Sequence, residues 1–202
     1  MGRNRSDSYG WITIALHWLV AVGVLSLFPL GLWMTSLTYY DPWYKDAPFI
    51  HKSMGVLLFI ALCARLAWRL VSPVPAPLPS VSELERRVAG SVHKLLYALL
   101  FAVMLSGYLI STADGRPIEV FNWFELPATV HGLPNQEDYA GYAHLTLAIV
   151  LIVLVAAHAL AALKHHFLDK DRTLLRMLGR PASGNQSGHE SPTFPDQKGV
   201  LR

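Results

Sequence analysis

The feature that most constrains this chain is residues 142–164, Tyr142-Ala-His144-Leu-Thr-Leu-Ala-Ile-Val-Leu-Ile-Val-Leu-Val-Ala-Ala-His158-Ala-Leu-Ala-Ala-Leu-Lys164. A run this long and this apolar reads as a membrane-crossing helix, because about 20 apolar residues span the hydrocarbon. Its strongly polar interior residues are two histidines, His144 and His158. Their spacing of fourteen is close to four turns, so both rings leave nearly the same face, about 21 Å apart along the axis. An imidazole in hydrocarbon is costly and turns toward a partner inside a bundle. Two on one stripe demand two partners at two depths.

The remaining chain supplies three further spans, at about 11–34, 49–71 and 90–111, beside the fourth at about 141–163. With 52% of residues apolar and 15% charged, a water-exposed surface cannot be covered, whereas a membrane bundle needs no such covering. The expected fold is an all-α integral membrane protein, a four-helix up-down bundle over residues 1–180. Trp11, Trp18 and Trp33 suit interfacial or packing positions. Pro29 and Gly31 should bend span one near its far end. Residues 72–80, Ser-Pro-Val-Pro-Ala-Pro-Leu-Pro-Ser, read as a stiff extended connector. The loop 112–139 carries a Phe121-Asn-Trp-Phe124 cluster suited to the membrane surface. Residues 165–180 place Phe167, Leu168, Leu174, Leu175 and Leu178 among charges, which predicts an amphipathic helix on the headgroups. Residues 181–202 are polar and rich in Gly, Ser and Pro, as in a disordered tail. The first apolar segment is too long for a cleavable signal, and the single cysteine, Cys63, has no internal disulfide partner.

Lys and Arg set the orientation. Arg3, Arg5, Arg65, Arg69, Arg86, Arg87, Lys94, Lys164, Lys170, Arg172, Arg176 and Arg180 fall on one side, against Lys45, Lys52 and Arg116 on the other. By the positive-inside rule both termini are cytoplasmic. The basic residues flank spans instead of forming a patch, so the pI of about 9.1 does not signal nucleic-acid binding. With the helices alternating in direction, His17 lies about 9 Å inside span one from the cytoplasmic side, level with His158. His51 opens span two from the outer side, level with His144. Each cross-helix pair, His17 with His158 and His51 with His144, is a candidate for the two axial ligands of one haem iron. Zinc is the weaker reading. Structural and transport zinc sites recruit acids or thiolates as well, and the spans so drawn hold no Asp or Glu.

The pieces Trp11-Ile-Thr-Ile-Ala-Leu-His17-Trp18-Leu, His51-Lys-Ser-Met-Gly55, Arg65-Leu-Ala-Trp-Arg69, Tyr142-Ala-His144 and Lys164-His-His-Phe-Leu-Asp-Lys-Asp-Arg-Thr-Leu-Leu-Arg-Met177 together resemble the bacterial cytochrome b561 family. Ser106-Gly-Tyr-Leu-Ile-Ser-Thr-Ala-Asp-Gly115 and the aromatic loop after it look like one branch of that family. The resemblance covers about residues 9–180. It implies two haem b, the inner held by His17 and His158 and the outer by His51 and His144. It also implies a place in the bacterial inner membrane and electron exchange with the quinone pool, some members oxidising superoxide and passing the electron to ubiquinone.

The expected activity is electron transfer across the membrane between quinone and a periplasmic redox partner, with the chemistry belonging to haem and the protein supplying ligation and electrostatics. Arg65, Arg69 and Lys52 are candidate partners for the propionates, although arginines there also serve as snorkelling anchors. Gly55, one turn after His51, offers backbone for a porphyrin to lie on, or simply a small residue for helix packing. A quinone site needs a hydrogen-bonding group at the membrane edge, for which His93, His165 and His166 are the candidates. Superoxide oxidation is the alternative activity. A mouth that collects an anion should be electropositive, but the outer loops hold Asp41, Asp46, Asp114, Glu119, Glu125, Glu137 and Asp138 against Lys45, Lys52 and Arg116. A haem-free, histidine-lined transporter or membrane anchor is the second alternative. Lipid, quinone and a periplasmic protein are the expected partners, nucleic acid is not, and a homodimer is left open.

Overall fold

The computed structural model describes residues 2–5, 8–78 and 80–180; the tail expected at 181–202 lies outside them. Four long helices carry the fold: α1 Trp11–Met34, α2 Asp46–Val71, α3 Glu83–Ser111 and α4 Gln136–Phe167, each long and apolar enough to cross a membrane. At 32 residues, α4 is about 48 Å long and projects beyond a hydrocarbon core of about 30 Å.

α1 has the predicted limits, whereas the other three start earlier than hydropathy alone suggests. α2 begins at Asp46, not 49. Pro48 sits in its first turn, where a missing N–H costs nothing, and Asp46 complements the positive helix end. α3 begins at Glu83, not 90, because Ser82 and Glu85 form a reciprocal capping box. α4 begins at Gln136, not 141. The Gln136 amide donates to Leu109 O and Val130 O and accepts from Leu133 N, tying the helix start to the loop before it. Its far end runs to Phe167, with Lys164, His165 and His166 in the last turn, where cations suit the negative end of the dipole.

α1 packs along α2 and α3 along α4, while α2 meets α3, and α1 meets α4, much more sparsely. The bundle is thus two helix pairs facing each other across a cleft. Val20, Val24 and Leu27 of α1, Leu58 and Leu62 of α2, Leu99, Leu100 and Val103 of α3 and Leu151 of α4 close its middle. Large apolar side chains also face outward on every helix, among them Leu19, Val22, Ile60, Leu105, Val153 and Leu160. That surface is stable against lipid and costly in water.

Two segments depart from expectation. In the long loop, β1 Ile118–Val120 and β2 Phe124–Leu126 form an antiparallel hairpin. Phe121 and Asn122 both take positive φ, 45° and 57°, as a type I′ turn requires. Ser53 of α2, fully buried, donates to Glu119 O and accepts from Phe121 N, and the Phe121 ring packs on Phe49. The aromatic cluster is therefore partly clasped to α2, while Trp123 stays 73% exposed. At the opposite end of the bundle, the amphipathic helix predicted for 165–180 is not formed as one element. Its first residues belong to α4, and only α5, Thr173–Met177, is helical beyond them. Trp18 Nε1 donates to Met177 O and Arg176 Nη1 to Ala76 O. These contacts fold the segment back against α1 and the Pro-rich connector, because buried Arg176 and Asp171 find partners in the protein that a headgroup surface would not supply.

Candidate functional site

The histidines meet at two levels. At the level nearer the described termini, His17 of α1 faces His158 of α4 with ring centroids 6.5 Å apart. At the hairpin level, His51 of α2 faces His144 of α4 at 6.2 Å. Both pairs bridge the cleft between the two helix layers, and buried Leu151, one heptad from each α4 histidine, separates them. A metal–imidazole bond of about 2 Å, plus roughly 1.1 Å from nitrogen to ring centroid, sets two trans-axial rings about 6.3 Å apart. Both separations fit one iron between the rings.

The hairpin-level site has the room and the hydrogen bonds that would suit such a group. His144 Nδ1 lies 3.0 Å from Val103 O and 3.1 Å from Ser106 Oγ. A carbonyl only accepts, so Nδ1 carries the proton and Nε2 keeps its lone pair, the state a metal ligand needs. Ser106 Oγ itself donates to Val103 O at 2.9 Å, which leaves its lone pairs toward the ring. Gly107 makes room for that ring: a Cβ there would stand 3.1 Å from His144 Cε1. Gly31, expected only to bend α1, does the same for His51, where a Cβ would stand 3.0 Å from Cε1. The two histidines line an apolar cavity of about 740 Å³, within the size range of cofactor pockets. Gly55 also lines it, and nothing lies within 4 Å of where its Cβ would be. Its small size therefore leaves a cradle in the cavity and is not spent on helix packing. Lys52 is exposed at this cavity, beside Asp114 and Glu137.

The terminal-level site differs in its charges. Arg65 Nη2 donates to His17 Nδ1 at 2.9 Å, and its guanidinium lies over the Tyr97 ring, 5.6 Å from the centroid. Arg65 thus points into the bundle, whereas Arg69, one turn on, is exposed. A third histidine joins this level. Because α3 starts seven residues earlier than predicted, His93 lies three turns into it and not at its edge, with its ring 5.2 Å from that of His158. Tyr97 Oη, one turn beyond His93, is buried.

His165 and His166 are placed differently. His165 Nδ1 lies 2.9 Å from Asp171 Oδ2 and 3.1 Å from Asp169 Oδ2, and Lys164 links Asp169 to Glu85 of α3. His166 stacks edge-on against Phe167. Burial raises the affinity of the Asp171 carboxyl for its proton, but bonds from Thr173 and the neighbouring His165 outweigh this and hold it below the usual carboxylate range. His165 is thereby committed to the clasp that holds the C-terminal segment. Ser106, Gly107, Gly31 and Tyr97 were not singled out as site residues in the sequence. The adjacent Ser106-Gly107 pair in an apolar span was the available signal, since small residues mark close approach.

Residues 8–180 match the family of prokaryotic cytochrome b561. The chain is 53% identical to cytochrome b561 homolog 2 of Escherichia coli over 180 residues, 89% of this chain and 96% of that protein. It is 30% identical to the probable superoxide oxidase CybB of Yersinia pestis over 84% of this chain and 95% of that one, and 26% identical to cytochrome b562 of Cereibacter sphaeroides over 87% and 98%. A match through all four spans, with relatives covered almost end to end, makes this chain a member of the prokaryotic cytochrome b561 family, a bacterial inner-membrane multi-pass cytochrome whose cofactor is haem b.

Proposed function

We propose that the protein carries electrons across the inner membrane between the quinone pool and a periplasmic redox partner, using two haem b. The observation that carries this reading is the pair of histidine couples, each spanning the cleft at a centroid separation that suits one iron. His17 and His158 hold the haem at the cytoplasmic level, and His51 and His144 the one at the periplasmic level. In this reading the described termini and the Pro-rich connector, flanked by Arg65, Arg69, Arg86 and Arg87, lie inside the cell, in keeping with the positive-inside rule. Haem b would supply reversible one-electron storage, with two imidazoles of this chain to hold it at each level.

The chain does the rest. Val103 O and Ser106 hold His144 in the ligating tautomer. The walls of the cavity at His51 and His144 are largely apolar, and Gly55 leaves backbone there for a porphyrin face. Arg65, Arg69 and Lys52 answer the propionates. His93, half-buried beside His158, is the leading quinone contact at the cytoplasmic level; His165 and His166 stand further out, the former engaged with its aspartates.

A second reading, superoxide oxidation with ubiquinone as acceptor, is favoured by the relative named a probable superoxide oxidase. The periplasmic rim works against it. Glu119 and Glu125 are exposed and directly opposed across the hairpin, and negative charge repels a small anion. Haem per chain and a reduced-minus-oxidised spectrum test the main reading: two haems are expected, with His144→Ala and His158→Ala each losing one. Retention of both haems in both variants would refute the ligand assignment. Stopped-flow reduction by superoxide against reduction by quinol separates the two activities, a superoxide rate near diffusion favouring the second.

A further inference from the structure

The two levels sit in opposite electrostatic surroundings. At the cytoplasmic level a guanidinium, that of Arg65, is half-buried between His17 and Tyr97. Arg69 follows one turn on, and no Asp or Glu lies in α2 or α3 between Asp46 and Val71 or beyond Glu85. At the periplasmic level His144 Nδ1 gives its proton to Val103 O and Ser106 Oγ. The charged groups lining that cavity are two carboxylates, Asp114 and Glu137, and one exposed lysine, Lys52. These differences act on an added electron in the same direction. Positive charge in a low-dielectric interior favours the reduced state. A ligand imidazole that donates to a carbonyl becomes more basic and favours the oxidised state.

We propose that Arg65 sets the cytoplasmic haem above the periplasmic haem in reduction potential, which makes the inward electron step between them the downhill one. This rests on the two-haem reading above. Arg65 is a positioning residue in this scheme, acting through charge. Once Nε2 of His17 is given to a metal its proton belongs on Nδ1, and a guanidinium can no longer bond there. Arg65 then gives up that bond, and its half-buried positive charge stays at the same level of α2.

The test is a potentiometric titration of the purified holoprotein followed by visible and EPR spectra. His144→Ala and His158→Ala, each retaining one haem, assign the two midpoints. The expected order is cytoplasmic above periplasmic. Arg65→Gln should lower the cytoplasmic midpoint by at least a tenfold change in the reduction equilibrium, 59 mV for one electron, and leave the periplasmic one in place. Arg65→Lys, which keeps the charge, should recover most of that drop, as lost packing alone would not. Arg65→Met repeats the measurement if the Gln variant does not accumulate. A periplasmic midpoint above the cytoplasmic one, or a cytoplasmic midpoint that Arg65→Gln and Arg65→Met do not move, overturns the inference while two haems remain bound. Histidine variants that lose no haem overturn the reading beneath it instead.

Discussion

Gly107→Ala sets two effects of known size against each other. Gly107 lies inside α3, about one turn before its end, and replacing glycine by alanine in a helix interior is worth about 1 kcal/mol of stability. Against this, the new Cβ would stand 3.1 Å from His144 Cε1 and 3.3 Å from its Nδ1, so the ring must retreat by a few tenths of an ångström. The ring is held by bonds of 3.0 Å to Val103 O and 3.1 Å to Ser106 Oγ, already toward the long end of the ordinary range. Retreat weakens them, at about 1 kcal/mol for one such bond. For folding the two effects nearly cancel, so the thermal midpoint of the cofactor-free protein should hardly move.

Haem binding has no such cancellation. Loss of a ligand's orienting partner costs roughly 10- to 100-fold in affinity, about 1.4–2.8 kcal/mol. On the proposed ligand assignment, in Gly107→Ala a haem between His51 and His144 should therefore bind that much more weakly, with one between His17 and His158 unaffected. Haem titration into depleted protein in detergent or nanodiscs, read from the Soret band, resolves the two sites, and His158→Ala isolates the weakened one. A variant that gains about 1 kcal/mol of stability and binds haem like the wild type would show that the Gly107 approach and the Nδ1 bonds do not position His144.

Gly55→Ala is the complementary case. The cofactor-free protein should gain up to about 1 kcal/mol, since no protein atom stands near the new methyl, while haem affinity at the His51 level falls; both are read in the same titration with a parallel melt. Ser53→Ala removes the two bonds that clasp the hairpin and should cost about 1–3 kcal/mol, with limited proteolysis cutting near Trp123 at a rate the wild type does not show. The clasp around Asp171 should loosen in acid. Its carboxyl is held below its ordinary value of 3.8, so its contribution is complete at neutral pH and is lost as pH falls from that value through the folded one. Protease release of the segment after α4 should rise below about pH 4 in the wild type. Asp171→Asn should release it at neutral pH with little further change on acidification.

The lipid slab explains how much of this architecture was legible from residues alone. Water-free hydrocarbon admits helices and little else, so four apolar runs became four spans. Alternating direction then placed His17 near the depth of His158, and His51 near that of His144, before any coordinates. What lay outside the slab was not legible in the same way. Pro48 looks like a helix stop until its place in a first turn is seen, and the Ser82–Glu85 box is charged sequence that hydropathy discounts. Both errors displaced helix starts, and the second left His93 at an edge when it lies beside His158. The C-terminal segment was misread because leucines spaced among charges describe a headgroup helix and a folded-back strap equally well. Buried Asp171 and Arg176 decide between them, and burial is a property of neighbours.

Within the slab, hydropathy marks which residues are costly but not what stands across from each. Arg65 reads as an anchor by its distance from the span end, yet it turns inward to His17. Ser106 and Gly107 signal close approach without saying to what, yet the Val103 carbonyl and the Ser106 hydroxyl determine which nitrogen of His144 is free. Depth is written in one helix's sequence, and so the pairing was found from it. Charge at each level is written in two helices at once, α2 against α1 and α3 against α4. The electrostatic difference between the two pairs therefore emerges only when Arg65 is seen at one and the Val103 carbonyl at the other.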